Sequence, residues 1–284
     1  MKQFTRLALV IALSGGTAFA QEPAAPSPWE RRLENTFAFV LNPLGIQNAF
    51  DVSWTKSITD REELLYKDAH LAVGLSNKLT PAFARVGAWF EYSPLSVLDL
   101  RVGVEPVYYF GTYKAFLPFD RADSRFDDEV IEDRVDEAAS GFAGRIYVSP
   151  TVKGRVGSVV ARIRTEVSWW RSQDKGEPFF YEPAWDTLIK AKGSAVVTVE
   201  ALVLKEINLS EDKTLLLGPV YDLTTVSGAS VNRKQDIGLV AIWSKAGSFR
   251  ALKDPTVAAK VVYFLQDPWR RHEPALQLAF VFGL

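Results

Sequence analysis

The run VVARIRTEVSW, residues 159–169, alternates along nearly its whole length. Val159, Ala161, Ile163, Thr165, Val167 and Trp169 fall on one side; Arg162, Arg164, Glu166 and Ser168 fall on the other. Successive side chains of a β-strand point to opposite faces, so this period of two marks a strand with one greasy and one charged face. The greasy face needs an apolar medium. Whether that medium is a second sheet or a lipid bilayer decides the fold class.

The same rhythm runs through the chain. Phe50, Val52 and Trp54 alternate with Asp51 and Ser53, and Leu71, Val73 and Leu75 oppose His70, Ala72, Gly74 and Ser76. Ala84, Val86, Ala88, Phe90 and Tyr92 oppose Arg85, Gly87 and Glu91, with Trp89 breaking the polar side. Leu98, Leu100, Val102 and Val104 oppose Asp99, Arg101, Gly103 and Glu105. Similar segments lie near 142–152, 185–192, 195–207, 214–224, 235–244, 256–266 and 275–284. With 36–56 read as one bent strand through LNPLG, the segments number about twelve, each ~10 residues long, the length a tilted strand needs to cross hydrocarbon. Short connectors such as SNKLTP, YSPLS, VKGR, KGS and LSEDK separate them, with turn-forming Gly, Pro, Ser and Asn.

The chain starts with MKQFTRLALVIALSGGTAFA, which has the three parts of an export signal. Lys2 and Arg6 precede the apolar run Leu7–Leu13, and Ala18-Phe19-Ala20 is the small-x-small cleavage site. The expected organisation is a signal peptide over 1–20, a short Pro-rich leader over 21–35 and a β-domain over 36–284. There is no Cys, which excludes a disulfide scaffold and a lipid-modified N-terminus. With 33 Lys and Arg against 34 Asp and Glu, the chain lacks the basic surplus of a nucleic-acid binder.

Alternation alone suits a soluble sandwich as well as a membrane barrel. Aromatic residues gather near segment ends (Trp54, Phe90, Tyr92, Tyr108 to Phe110, Trp169, Trp170, Trp243, Tyr263, Phe264), as in the girdles that rings form at headgroup level. The tail ALQLAFVFGL, residues 275–284, places Leu276, Leu278, Phe280, Phe282 and Leu284 on one face up to the last residue. This pattern resembles the C-terminal strand of bacterial outer-membrane β-barrel proteins, with Leu284 where that family most often has Phe. The resemblance implies an all-β, closed antiparallel transmembrane β-barrel of about 12 strands, an even number. It further implies residence in a Gram-negative outer membrane, with the lipid bilayer and lipopolysaccharide as surroundings. The last strand would close on the first and be read by the barrel-insertion machinery.

Closing the sheet turns the polar faces inward. Arg85, Arg101, Arg145, Arg162, Arg164, Glu166, Lys190 and Glu200 are the candidate lumen-lining, substrate-facing residues. Arg145, Arg162 and Arg164 suggest an anion-facing constriction, since Arg offers a planar fork to carboxylates and phosphates; the alternative is a structural ladder with Glu166 and Glu200. The acidic stretch 120–140 does not match a regular Ca²⁺ loop; it reads as a solvated loop or short helix with Val130, Ile131 and Val135 towards the barrel. Counting back from a periplasmic C-terminus puts it on the periplasmic side. His70 and His272 are far apart in sequence, with no hydrolase motif near either, so no catalytic residue, metal site or cofactor is expected. The expected function is a porin-like channel for passive diffusion of small polar solutes or ions. The alternatives are a plugged structural or surface-binding barrel and, third, a lipid-modifying enzyme.

Overall fold

A computed structural model describes residues 29–284 apart from 174–175, 230–231 and 250–251. The expected signal peptide and the start of the leader lie outside the described residues. Among those described, twelve long strands form one closed antiparallel sheet. They are β1 Glu30–Leu41, β2 Gly45–Ser57, β3 His70–Leu79, β4 Phe83–Leu95, β5 Leu98–Phe110 and β6 Ser140–Val156. The circle continues with β7 Val159–Ser172, β8 Ser194–Ser210, β9 Lys213–Val226, β10 Lys234–Lys245, β11 Leu252–Gln266 and β12 Pro274–Gly283. Neighbours in sequence pair in space, and β12 returns to β1 with Phe37 opposite Phe280 and Leu41 opposite Leu276. Closure leaves no open edge, so every ladder can be satisfied without water.

The outer surface is apolar. Val73, Leu75, Val104, Ile146, Ile163, Val203, Leu239 and Val261 are all exposed, and Leu239 reaches 61%. A soluble monomer rarely shows a contiguous apolar patch above a few hundred Å²; here such residues recur around the circumference, as hydrocarbon requires. Tyr108, Phe110 and Phe142 cluster at one rim, with ring centroids 5.8 and 4.7 Å apart. Trp170 and Phe264, grouped with the girdle in the sequence, instead face inward and are 1% and 6% exposed.

Twelve strands are observed, but two segments depart from the sequence reading in opposite directions. Residues 36–56 form two strands, turned at 42–44 where Asn42 takes φ 59°, a left-handed conformation that Asn tolerates. Residues 185–192 are not part of the wall. Strand Thr187–Lys190 pairs with Phe179–Glu182, and that hairpin joins Pro118–Phe119 in a small separate sheet. The barrel also begins at Glu30, within the expected leader.

Counted back from the last strand, the removal of 185–192 from the wall reverses the side assigned to the acidic segment. The start of β1 and the end of β12 lie at one rim, the terminal end, which also carries connections 58–69, 96–97, 157–158, 211–212 and 246–251. The opposite rim, the loop end, carries 42–44, 80–82, 111–139, 173–193, 227–233 and 267–273. The acidic stretch is therefore at the loop end with the other long connection. It contains α1, Asp128–Asp133, capped by Asp127, whose side chain accepts from Val130 N. Ile131 is buried with Tyr181 and Leu188 of the inner hairpin, whereas Val135 is 45% exposed, contrary to the expected inward stripe.

Candidate functional site

The interior has two unlike walls. From β7 round to β1 the inward residues include an apolar set: Leu202, Leu204, Val220, Val240, Ile242, Val262, Ala279 and Ala38 pack in one cluster, each no more than 4% exposed. Polar-in alternation therefore fails over much of this half, because both strand faces are greasy. From β2 to β8 the inward residues are largely charged, and they are joined in a ladder.

At its centre stands Glu105 of β5, which accepts from Lys78 Nζ at 2.8 Å and Arg145 Nε at 2.7 Å, with Arg85 3.8 Å away. Arg145 continues to Glu166, which also accepts from Arg164 at 3.0 Å; Arg164 Nε donates to Ser149 at 2.8 Å. Arg162 pairs with Glu200, and Lys260 with Asp222. Towards the terminal end, Arg101 holds Glu91 at 2.7 Å and Lys153 holds Asp99 at 2.7 Å. Arg101 also lies 4.0 Å over the ring of Trp89, the residue that broke the polar alternation. Trp89 fits indoors because Gly74 opposite has no Cβ; one there would run into the indole.

Towards the loop end the inner hairpin is tied to the wall. Glu182 accepts from Arg85 at 3.1 Å and from Tyr109. Asp186, at the hairpin turn, binds Lys234 at 2.6 Å, Tyr181 at 2.7 Å and Arg270; Arg270 reaches on to Asp128 of α1 at 2.7 Å. Aromatic packing fills the gaps: Tyr109 stacks on Phe116 at 4.8 Å and Trp170 meets Trp185 edge-on at 4.9 Å.

Among the described residues, two interior cavities bear on the site. One, about 100 Å³, lies towards the terminal end and is lined by Arg32, Asp51, Lys78, Asp99, Arg101, Lys153 and Arg164, among others. The other, about 410 Å³, runs towards the loop end between Glu166, Glu200, Trp185, Asp186, Lys234 and the rim residues Asn42 and Tyr113. Arg164 lines both. A water takes up ~30 Å³ in the liquid, so the larger space has room for a file of small hydrated solutes.

Of the eight sequence candidates, Arg85, Arg101, Arg145, Arg162, Arg164, Glu166 and Glu200 sit in this ladder. Lys190 does not: it ends the inner hairpin and is exposed. Arg145, Arg162 and Arg164 each face a carboxylate, so the ladder arrangement holds in place of a bare anion site. Sequence parity finds Glu105 but misses Lys78, which reads as part of a turn. It also misses Glu182 and Arg270, which lie in stretches read as connections, and Asp186, which lies in the segment read as a wall strand.

The two histidines stand apart. His272, in the connection before β12, packs against the Tyr263 ring with centroids 5.9 Å apart. His70 Nε2 lies 3.4 Å from both Glu91 and Ser93 Oγ, but that hydroxyl donates to Asp99 at 2.7 Å. The Ser proton is thus held by a carboxylate and not by the imidazole.

Closed walls, an apolar outer band and a charged interior define a β-barrel of the outer-membrane kind. No protein-family model matches the chain, and no curated protein does. Solved structures share its outline. The NanC porin has a TM-score of 0.44 at 10% identity, covering 89% of this chain and 100% of that one. The β-domain of the Bordetella autotransporter BrkA gives 0.39 at 11%, covering 91% and 99%. The translocator domain of the autotransporter NalP from Neisseria meningitidis gives 0.40 at 7%, covering 98% and 92%.

Proposed function

We propose that the protein is a porin-like channel with a narrow, ion-paired waist, passing small polar solutes or ions across the outer membrane. One observation carries this reading: two cavities lined by charged side chains extend towards opposite rims and share a single residue, Arg164. Its side chain is 12% exposed and is held by Glu166 and Ser149, so it forms the partition between them. The long loops then face outward from the cell, and the start of β1 and the end of β12 face the periplasm, the usual arrangement of such barrels. In this reading lipopolysaccharide and lipid surround the apolar band, and the final strand is the segment recognised during insertion.

Purified protein in planar bilayers should give small ohmic steps, and Arg164→Ala should enlarge them by opening the partition. Silence from both proteins would sink the channel reading. The second reading, a plugged barrel that binds through its loops, is favoured by the buried hairpin, whose Thr187, Leu188 and Ile189 are 0% exposed. It predicts that silence.

A further inference from the structure

Among the described residues, the larger cavity is lined by six acidic side chains and three basic ones, the smaller by five acidic and six basic. Most of the acidic surplus is neutralised in place. Asp128 pairs with Arg270, Glu132 with Lys114, Glu166 with Arg145, Asp186 with Lys234 and Glu200 with Arg162. The sixth acid, Asp236 of β10, lines the cavity and makes no ion pair among the described residues. Across the ladder it stands opposite Asp222, which stands opposite Glu200, so three carboxylates share one row. Lys260 bonds Asp222, and Asp236 is left to the cavity.

Asp236 Oδ1 is buried without a hydrogen-bond partner, and so is Gln277 Oε1, which lines the same cavity. A buried acceptor that meets no donor is costly. Two such oxygens, one of them on a carboxylate, call for a ligand that brings positive charge and N–H groups together. Phe264 faces Asp236 across the ladder, and Trp185 lines the same space. Ring faces attract cations, and Phe264 already lies 5.9 Å from Lys234 Nζ. The carboxylate row is no metal cage: among the described residues no three acidic or histidine side chains converge to hold a metal ion. We propose that the loop-end cavity takes small cations of the ammonium type, with Asp236 as their charged contact. This names a solute class for the channel reading and rests on that reading.

The test is the reversal potential in planar bilayers under a gradient of ethylammonium chloride. The protein is expected to favour the cation over chloride. Asp236→Asn should lower that preference roughly three- to fivefold, the effect of one unit charge ~5 Å from an ion in water. Asp133→Asn, an equal change of charge on an exposed residue of α1 outside the cavity, should leave it unchanged. With ethylammonium on one side and K⁺ on the other, ethylammonium should permeate at least as well, since K⁺ has no N–H to offer the two acceptors. A preference for chloride, an unchanged ratio in Asp236→Asn, an equal drop in Asp133→Asn, or K⁺ favoured over ethylammonium would each overturn the proposal while the channel reading stands. Protein that is folded by heat-modifiable gel migration yet silent would overturn both. The two measurements on the unaltered protein hold whether or not Asp236→Asn folds.

Discussion

Replacing Glu105 by Gln removes one charge from the middle of the ladder while keeping its shape. The carboxylate now takes Lys78 and Arg145, and the side chains of all three are no more than 7% exposed. After the change Arg145 keeps Glu166 and Arg85 keeps Glu182, but Lys78 is left with no hydrogen-bonded carboxylate among the described residues. Breaking a buried pair from one side typically costs ~3–5 kcal/mol because a charge is stranded. Only one cation is stranded here, and both Lys78 and Glu105 line the smaller cavity, where water can partly solvate it. The expected loss is therefore about 2–3 kcal/mol. With a urea dependence of ~3 kcal/mol/M, the unfolding midpoint should fall by roughly 1 M. Tryptophan fluorescence during reversible unfolding in detergent micelles, with gel mobility as a second probe, measures it. Adding Lys78→Met removes the stranded charge and should recover most of the loss, a double-mutant cycle that isolates the pair. A midpoint change below ~0.3 M, or no recovery in the double variant, would mean that the ladder is bathed in water and that the structural argument fails.

Three further outcomes follow from local geometry. Gly74→Val should destabilise the barrel by about 1–3 kcal/mol, because the added carbons overlap the Trp89 indole, whereas Gly144→Ala, where a Cβ meets nothing within 4 Å, should leave the urea midpoint unchanged. Asp212, in the turn between β8 and β9, is held down to about 2 by hydrogen bonds from Lys245 and Ser210. A depressed carboxylate stabilises fully above its unfolded value and loses that contribution as pH falls towards about 2; Asp212→Asn should flatten the acid limb of the stability profile in that window. Lys234→Met should loosen the inner hairpin by removing a cation from both Asp186 and Asp267, seen as faster hydrogen exchange across 179–190 while the wall strands keep their protection.

The wall is legible in the sequence where one strand face is charged and the other greasy, as in β5 and β7, because period two then names both faces. It is illegible where both faces are apolar. In β8 and β12, Leu202, Leu204 and Ala279 face inward beside outward Val203 and Leu278, and no pattern in the sequence says which side packs indoors. The turn at 42–44 is hidden because LNPLG lies between two apolar runs, so two hairpin strands read as one. The inner hairpin reads as wall because its short strands alternate too. What separates it is length: Thr187–Lys190 has 4 residues, well short of the ~10 needed to span a bilayer. For the site, the inward arginines follow from parity alone. The Glu182 partner of Arg85, and the set of Asp186, Arg270 and Asp128, depend on how connections fold back into the barrel, which local pattern does not encode.

The orientation of the strands can be read one residue at a time. Single cysteines at Val257, Ala258, Ala259, Val261 and Val262 of β11, in an otherwise cysteine-free chain, are exposed in folded, membrane-inserted protein to lipid-soluble and to water-soluble maleimides. The account predicts that the lipid-soluble reagent modifies 257, 259 and 261 and spares 258 and 262. Modification of 257, 259 and 261 by the water-soluble reagent instead, or reactivity with no alternation, would contradict a barrel whose greasy side faces the bilayer.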